Sequence, residues 1–146
     1  MKKMIVAILI SLFTFNLAQA QFEGKSCRVD GTSSSVMIKK VKADKSGKVS
    51  ITFANDANER VNVVLKVHAK VKYKYYEYGQ AHYFTENQYC TITGTVKPGD
   101  SDWGNTLSSN LDIKSKKEVN FDNIQTVYVD EIELTGCEFE RTAKCN

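Results

Sequence analysis

Between Val61 and Tyr75 apolar and polar side chains alternate with a period of two. Val61, Val63, Leu65, Val67, Ala69, Val71, Tyr73 and Tyr75 share one face, while Asn62, Val64, Lys66, His68, Lys70, Lys72, Lys74 and Tyr76 share the other. Side chains of an extended chain point to opposite faces in turn, so this pattern predicts one long strand in a sheet that is dry on one side and wet on the other. Glu77-Tyr78-Gly79-Gln80 then reverses the chain, and a returning strand is expected from about His82 to Val96. With a turn centred near Gly79 and Gln80, Tyr75 would face Phe84, Ala69 would face Cys90, Val67 would face Ile92 and Val63 would face Val96. The apolar sides agree, which supports a hairpin.

The rest of the chain reads in the same way. A strand is expected over Ser34 to Ala43, with Val36, Ile38 and Val41 inward. Asp44-Lys45-Ser46-Gly47 forms a turn, and Val49, Ile51 and Phe53 alternate in the next strand. Asn55-Asp56-Ala57-Asn58-Glu59 is rich in side chains that bond their own backbone, so the chain turns there. Pro98-Gly99-Asp100-Ser101-Asp102 is a further turn. Later strands are expected over Glu118 to Phe121 and Thr126 to Leu134. In the last of these the apolar parity switches from Val127 and Val129 to Ile132 and Leu134, which predicts a bulge near Asp130 and Glu131. No sustained apolar period of 3.6 occurs after residue 20. The expected fold is all-β, an antiparallel β-sandwich of about seven strands with one long hairpin, and a β-barrel is the alternative.

At the N-terminus the pattern differs. Lys2 and Lys3 precede an apolar run from Met4 to Leu17, and Ala18-Gln19-Ala20 places small residues at the −3 and −1 positions. Residues 1–20 are therefore expected to be a cleavable signal peptide, leaving 21–146 as a single domain that is periplasmic or secreted, without a membrane span. In an oxidising compartment Cys27, Cys90, Cys137 and Cys145 read as two disulfides. Three pairings exist. Closing the short loop favours Cys137 with Cys145 and Cys27 with Cys90, and joining the termini favours Cys27 with Cys145 and Cys90 with Cys137. Their spacing, and that of His68 and His82, does not suit a metal site.

Ile51-Thr52-Phe53-Ala54-Asn55, Val61-Asn62-Val63 and the turn Val96-Lys97-Pro98-Gly99-Asp100-Ser101 resemble segments of bacterial immunoglobulin-like and fibronectin type III-like sandwiches. That resemblance spans about a third of the chain after residue 20 and implies the fold alone, because such sandwiches host unrelated functions.

Charge narrows the partner. Residues 21–76 carry 12 basic and 5 acidic side chains, and residues 77–146 carry 6 and 12. The near balance after residue 20 argues against nucleic acid. The asymmetry is expected to come from basic and acidic strands pairing across a sheet, with a dipolar docking surface as the sharper reading. No serine stands in a G-x-S-x-G elbow and the cysteines read as bridges, so a non-enzymatic protein without cofactor is expected.

The densest candidate surface is the stretch from Tyr73 to Phe84, with six aromatics and a histidine in twelve positions. Tyr73, Tyr75, Tyr76, Tyr78, His82 and Tyr83, together with Trp103, are candidate ligand-binding residues, since a tyrosine joins a rigid apolar ring to a polar tip. The competing reading is a cross-strand ladder that stiffens the hairpin. Lys66, Lys70, Lys72 and Lys74 are a candidate basic face for an anionic polymer, against a solvated face or a charged edge. The expected function is an exported binding module that contacts carbohydrate or protein through the tyrosine-rich tip. The alternatives are a structural or assembly component of the envelope or surface, or a small secreted inhibitor.

Overall fold

A computed structural model of the chain describes residues 21–101, 104–113 and 124–140. The expected signal peptide, Trp103, the strand expected at Glu118 to Phe121 and Cys145 lie outside the described residues. Among the described residues seven strands are present, in order: β1 (Ser26–Arg28), β2 (Ser35–Ala43), β3 (Lys48–Asn55), β4 (Val61–Glu77), β5 (Gln80–Val96), β6 (Thr106–Asn110) and β7 (Ile124–Phe139). One sheet has the order β1-β2-β3-β6 and the other β5-β4-β7, and all their pairings are antiparallel. This is a β-sandwich, and the sheets do not close into a barrel. Within that architecture the connections differ from those of immunoglobulin constant domains, which pair strands ABED and CFG. Here the first three strands lie in one sheet.

The core is made by the alternations read above. Val36, Ile38, Val49, Ile51 and Phe53 from one sheet meet Val61, Leu65, Val67, Val71 and Tyr73 from the other, all without measurable exposure. Val41 joins them despite its odd number because the register shifts between Ile38 and Lys40. The extra residue turns the second half of β2 over so that its apolar side still faces inward.

Two buried asparagines secure the crossings between sheets. Asn55 donates from Nδ2 to the carbonyls of Glu59 (2.9 Å) and Val96 (3.2 Å) and accepts from the Ala57 amide. Asn105 accepts from the Lys97 amide (2.8 Å) and donates to the Lys97 carbonyl (3.0 Å). Each satisfies backbone groups that a chain leaving its sheet would otherwise bury unpaired.

Neither disulfide pairing weighed from the sequence includes the bridge observed, which joins Cys27 to Cys137. Loop length was the wrong criterion. β1 and β7 are edge strands of opposite sheets on the same side of the sandwich, where the Asp30 amide also donates to the Cys137 carbonyl. The bridge thus closes one side of the sandwich across 110 residues. Cys90 is half-buried on β5 and has no disulfide partner among the described residues, so the expected bridges from it to Cys27 or to Cys137 are both overturned. Replacing Cys27 and Cys137 together with serine should lower unfolding stability by about 2–5 kcal/mol, because a loop of this length strongly restricts the unfolded chain. Urea unfolding of the double variant checks this; an unchanged midpoint would show that the bridge adds nothing.

Candidate functional site

β4 is the middle strand of its sheet, with β7 on one side and β5 on the other, but its two partners differ in length. β7 accompanies it from Phe139 opposite Val61 only as far as Ile124 opposite Tyr73. β5 continues, pairing every residue from Val96 opposite Val61 to Gln80 opposite Glu77. Among the described residues, the end of the hairpin therefore projects beyond the third strand as a two-stranded ribbon.

The turn itself is Tyr78-Gly79, with φ of 50° and 77°. Two successive residues at positive φ match the right-handed twist of a tight hairpin, and glycine takes such a conformation freely. Tyr78 has no such freedom, and it is the one non-glycine with positive φ among the described residues. This turn corrects the expected register by two residues. Tyr73, not Tyr75, stands opposite Phe84; Val67 opposite Cys90; Leu65 opposite Ile92; Val61 opposite Val96. A two-residue slip preserves parity, so every side chain keeps the face assigned to it.

The ribbon's two faces carry different chemistry. On the side continuous with the core, Tyr73 stacks on Phe84 with ring centroids 4.6 Å apart, Tyr75 stacks on His82 at 5.2 Å, and Tyr75 meets Phe84 edge-on at 5.9 Å. Tyr73 is fully buried, and its hydroxyl donates to Glu86 Oε2 at 3.0 Å. The ladder reading holds for these four rings. Tyr75 is 39% exposed and Phe84 41%.

The outer face carries Tyr76, Tyr83, Lys72 and Lys74. Lys72 Nζ lies over the Tyr83 ring and Lys74 Nζ over the Tyr76 ring, each 5.0 Å from the centroid. The Tyr76 hydroxyl beside it, and then the Tyr83 oxygen, hold the Lys74 ammonium above its ordinary pKa. Tyr76 is 66% exposed, Tyr83 55% and Tyr78, at the apex, 98%. Such rings exceed what a hairpin needs for its own packing.

The lysine row proves to be two groups. Lys66 faces Glu133 and His68 faces Glu131 across β7. Asp130 is the extra residue of a bulge, since His68 pairs with Glu131 and Ala69 with Val129. The bulge swings its carboxylate into contact with His68 Nδ1 and to 3.2 Å from Lys70 Nζ. The bulge expected near Asp130 and Glu131 is thus present, and basic β4 meets acidic β7 as the charge distribution implied. Lys72 faces Thr126 on β7, and Lys74 lies beyond the end of that strand. The free positive charge of the row is concentrated at the aromatic ribbon.

One exposed ring escaped the sequence reading. Tyr89 is 66% exposed on the outer face of β5, tilted against His68 at 4.6 Å. Projecting the parity of β4 through the hairpin would have placed it there. With Lys66, His68, Glu131 and Glu133 it lines a depression of about 130 Å³, small beside the 300–1,000 Å³ of most small-molecule sites. Two larger depressions among the described residues, of about 320 and 360 Å³, are open to solvent. Burial pushes the Cys90 thiol up, away from the thiolate that nucleophilic chemistry requires. Among the described residues no group of histidine, cysteine, aspartate and glutamate is placed to hold a metal, and no helix is long and apolar enough to cross a membrane.

Comparison of the chain with protein-family models, curated proteins and solved structures finds no match.

The two ends of the hairpin should respond differently to truncation. Tyr73→Ala should cost about 3–5 kcal/mol, as for a fully buried aromatic, whereas Tyr78→Ala should change stability by no more than about 0.5 kcal/mol. Denaturant midpoints of the two variants check this; equal losses would mean that the apex ring packs against the domain.

Proposed function

We propose that this is an exported, non-enzymatic binding module that contacts carbohydrate or protein with the outer face and apex of its β4–β5 hairpin, and that it prefers partners bearing acidic groups. The observation that carries this reading is the ribbon beyond β7, where exposed Tyr76, Tyr78 and Tyr83 stand among Lys72 and Lys74, which are not opposite any acid of β7. A tyrosine ring presents an apolar face at low entropic cost, and a lysine beside it adds a charge that an anionic group can meet. The inner ladder of Tyr73, Phe84, Tyr75 and His82 supports the reading from behind. It holds the ribbon in one conformation, so little ordering remains to be done on binding. A cleaved leader at residues 1–20, as the sequence leads us to expect, would put this surface in the periplasm or outside the cell, where acidic glycans and other envelope polymers are available partners. Assembly through a sheet edge is a second reading, favoured by a separate feature of β5.

Retention on heparin-agarose, as a probe for anionic glycan, and on dextran, as a neutral one, tests the proposal. The unaltered domain should be held by the first, and the Tyr76→Ala/Tyr78→Ala/Tyr83→Ala variant should bind at least ~10-fold more weakly with the same melting temperature. Undiminished retention would reduce the interaction to nonspecific charge. A large fall in melting temperature would assign these rings to the fold instead.

A further inference from the structure

Among the described residues β5 is an edge strand, and it has few of the usual protections against pairing. Its 17 residues run from Gln80 to Val96 without proline, and its pairing with β4 has no register shift. Glu86 is its only acid or lysine/arginine-type charge. The other edges are managed. β7 is interrupted by three register shifts and stapled through Cys137 to β1, while β1 and β6 have only 3 and 5 residues. Proteins normally blunt an edge with bulges, charges, proline or brevity, and β5 has only the single inward-facing charge of Glu86.

The turn geometry identifies the groups on offer. In a two-residue hairpin the pair that closes the turn, Glu77 and Gln80, exchanges hydrogen bonds, and every second pair after it does the same. The even-numbered residues of β5 are therefore engaged with β4. The N–H and C=O groups of Tyr83, Thr85, Asn87, Tyr89, Thr91 and Thr93 point away from it. These residues project uncharged side chains, all exposed, onto the outer face.

We infer that this edge pairs with the same edge of a second copy of the chain, antiparallel about a two-fold axis, to join the two three-stranded sheets into one of six strands. Only odd-with-odd pairing satisfies the free groups, so the axis passes through a residue of β5. Centring it on Glu86 would oppose two like charges. Centring it on Gln88 sets Asn87 opposite Tyr89, Thr85 opposite Thr91 and Tyr83 opposite Thr93, and it places Glu86 opposite Cys90. Pairs of aromatic, threonine and asparagine side chains suit such a ladder, and no charge opposes its like. The pairing is self-complementary and uses one edge per copy, so it closes at two and does not propagate into fibres. The two aromatic tips would then point in opposite directions about 60 Å apart, at about 3.3 Å per residue. A dimer of that form grips a polymer at two places, which deepens the binding reading without depending on it.

Sedimentation equilibrium of residues 21–146 over a range of concentrations tests the inference. A mass twice that of the chain is expected, persisting in high salt because the contact is made by backbone and neutral side chains. Head-to-tail attraction between basic and acidic regions would instead dissolve as salt is added. Thr85→Lys/Thr91→Lys, at exposed outer-face positions, should halve the mass and leave the far-ultraviolet spectrum unchanged, and the tip variant with Tyr76, Tyr78 and Tyr83 changed to alanine should remain dimeric. Amide exchange of the unaltered protein gives an answer that needs no variant: the Thr85, Asn87, Tyr89 and Thr91 amides should be protected, increasingly so with concentration. A monomer at every concentration, a dimer indifferent to the two lysines, or rapid exchange at those four amides would overturn the pairing.

Discussion

Every part of the molecule is organised by the inner face of β4. The row Val61, Val63, Leu65, Val67, Ala69, Val71 and Tyr73 is buried without interruption, and burial of such side chains is the main favourable term in folding. The strand that carries it has a partner along both edges for most of its length. It is therefore held straight and in register by the core, and the chain beyond the core must leave the sandwich in the direction the buried row dictates. The aromatic ribbon is the continuation of that strand past the point where the third strand begins.

The same strand sets the electrostatics. Its outer face is basic and its neighbour β7 is acidic, so Lys66, His68 and Lys70 meet acids where the strands lie side by side. β7 keeps step only by inserting extra residues, and one of those, Asp130, serves His68 and Lys70 together. Beyond Lys70, no described residue of β7 sets an acid opposite the row. The rings at that end collect the uncompensated lysines, which couples the length of one strand to the chemistry of the exposed surface.

Much of this was legible in residue order. The alternation from Val61 to Tyr75 marked strand, faces and hairpin, and the parity switch between Val129 and Ile132 located the bulge at Asp130. The return to odd parity at Cys137 and Phe139 carried the same information about a second irregularity in β7, which the structure places between the pairs of Val64 and Leu65. β1 and β6 were not visible, because Ser-Cys-Arg and Thr-Leu-Ser-Ser-Asn are too short and polar to show a period. The hairpin register was missed by two because the turn places tyrosine, a residue that rarely accepts positive φ, where asparagine or aspartate would have announced it. That Cys27 and Cys137 are bridging cysteines was legible, but their pairing with each other was not. Which cysteines meet depends on which edge strands share a side of the sandwich, and neither spacing nor composition records that. Of the candidate site, Tyr76, Tyr78 and Tyr83 are brought to an open surface, Tyr73 is drawn into the core, Tyr75 and His82 into the ladder, and Lys66 and Lys70 into pairing with β7.

A preformed aromatic surface requires the hairpin to be ordered beyond the last residue of β7. Nuclear Overhauser contacts between α-protons report this most directly, because residues in the non-hydrogen-bonded pairs of an antiparallel ribbon have Cα atoms only about 4.5 Å apart. Lys74 with Tyr83 and Tyr76 with Ala81 are such pairs, and both contacts should be strong in the free protein. Their absence, alongside intact contacts between Val64 and Thr93 within the sandwich, would show that the strand ends with the core and that no ordered ribbon projects from it.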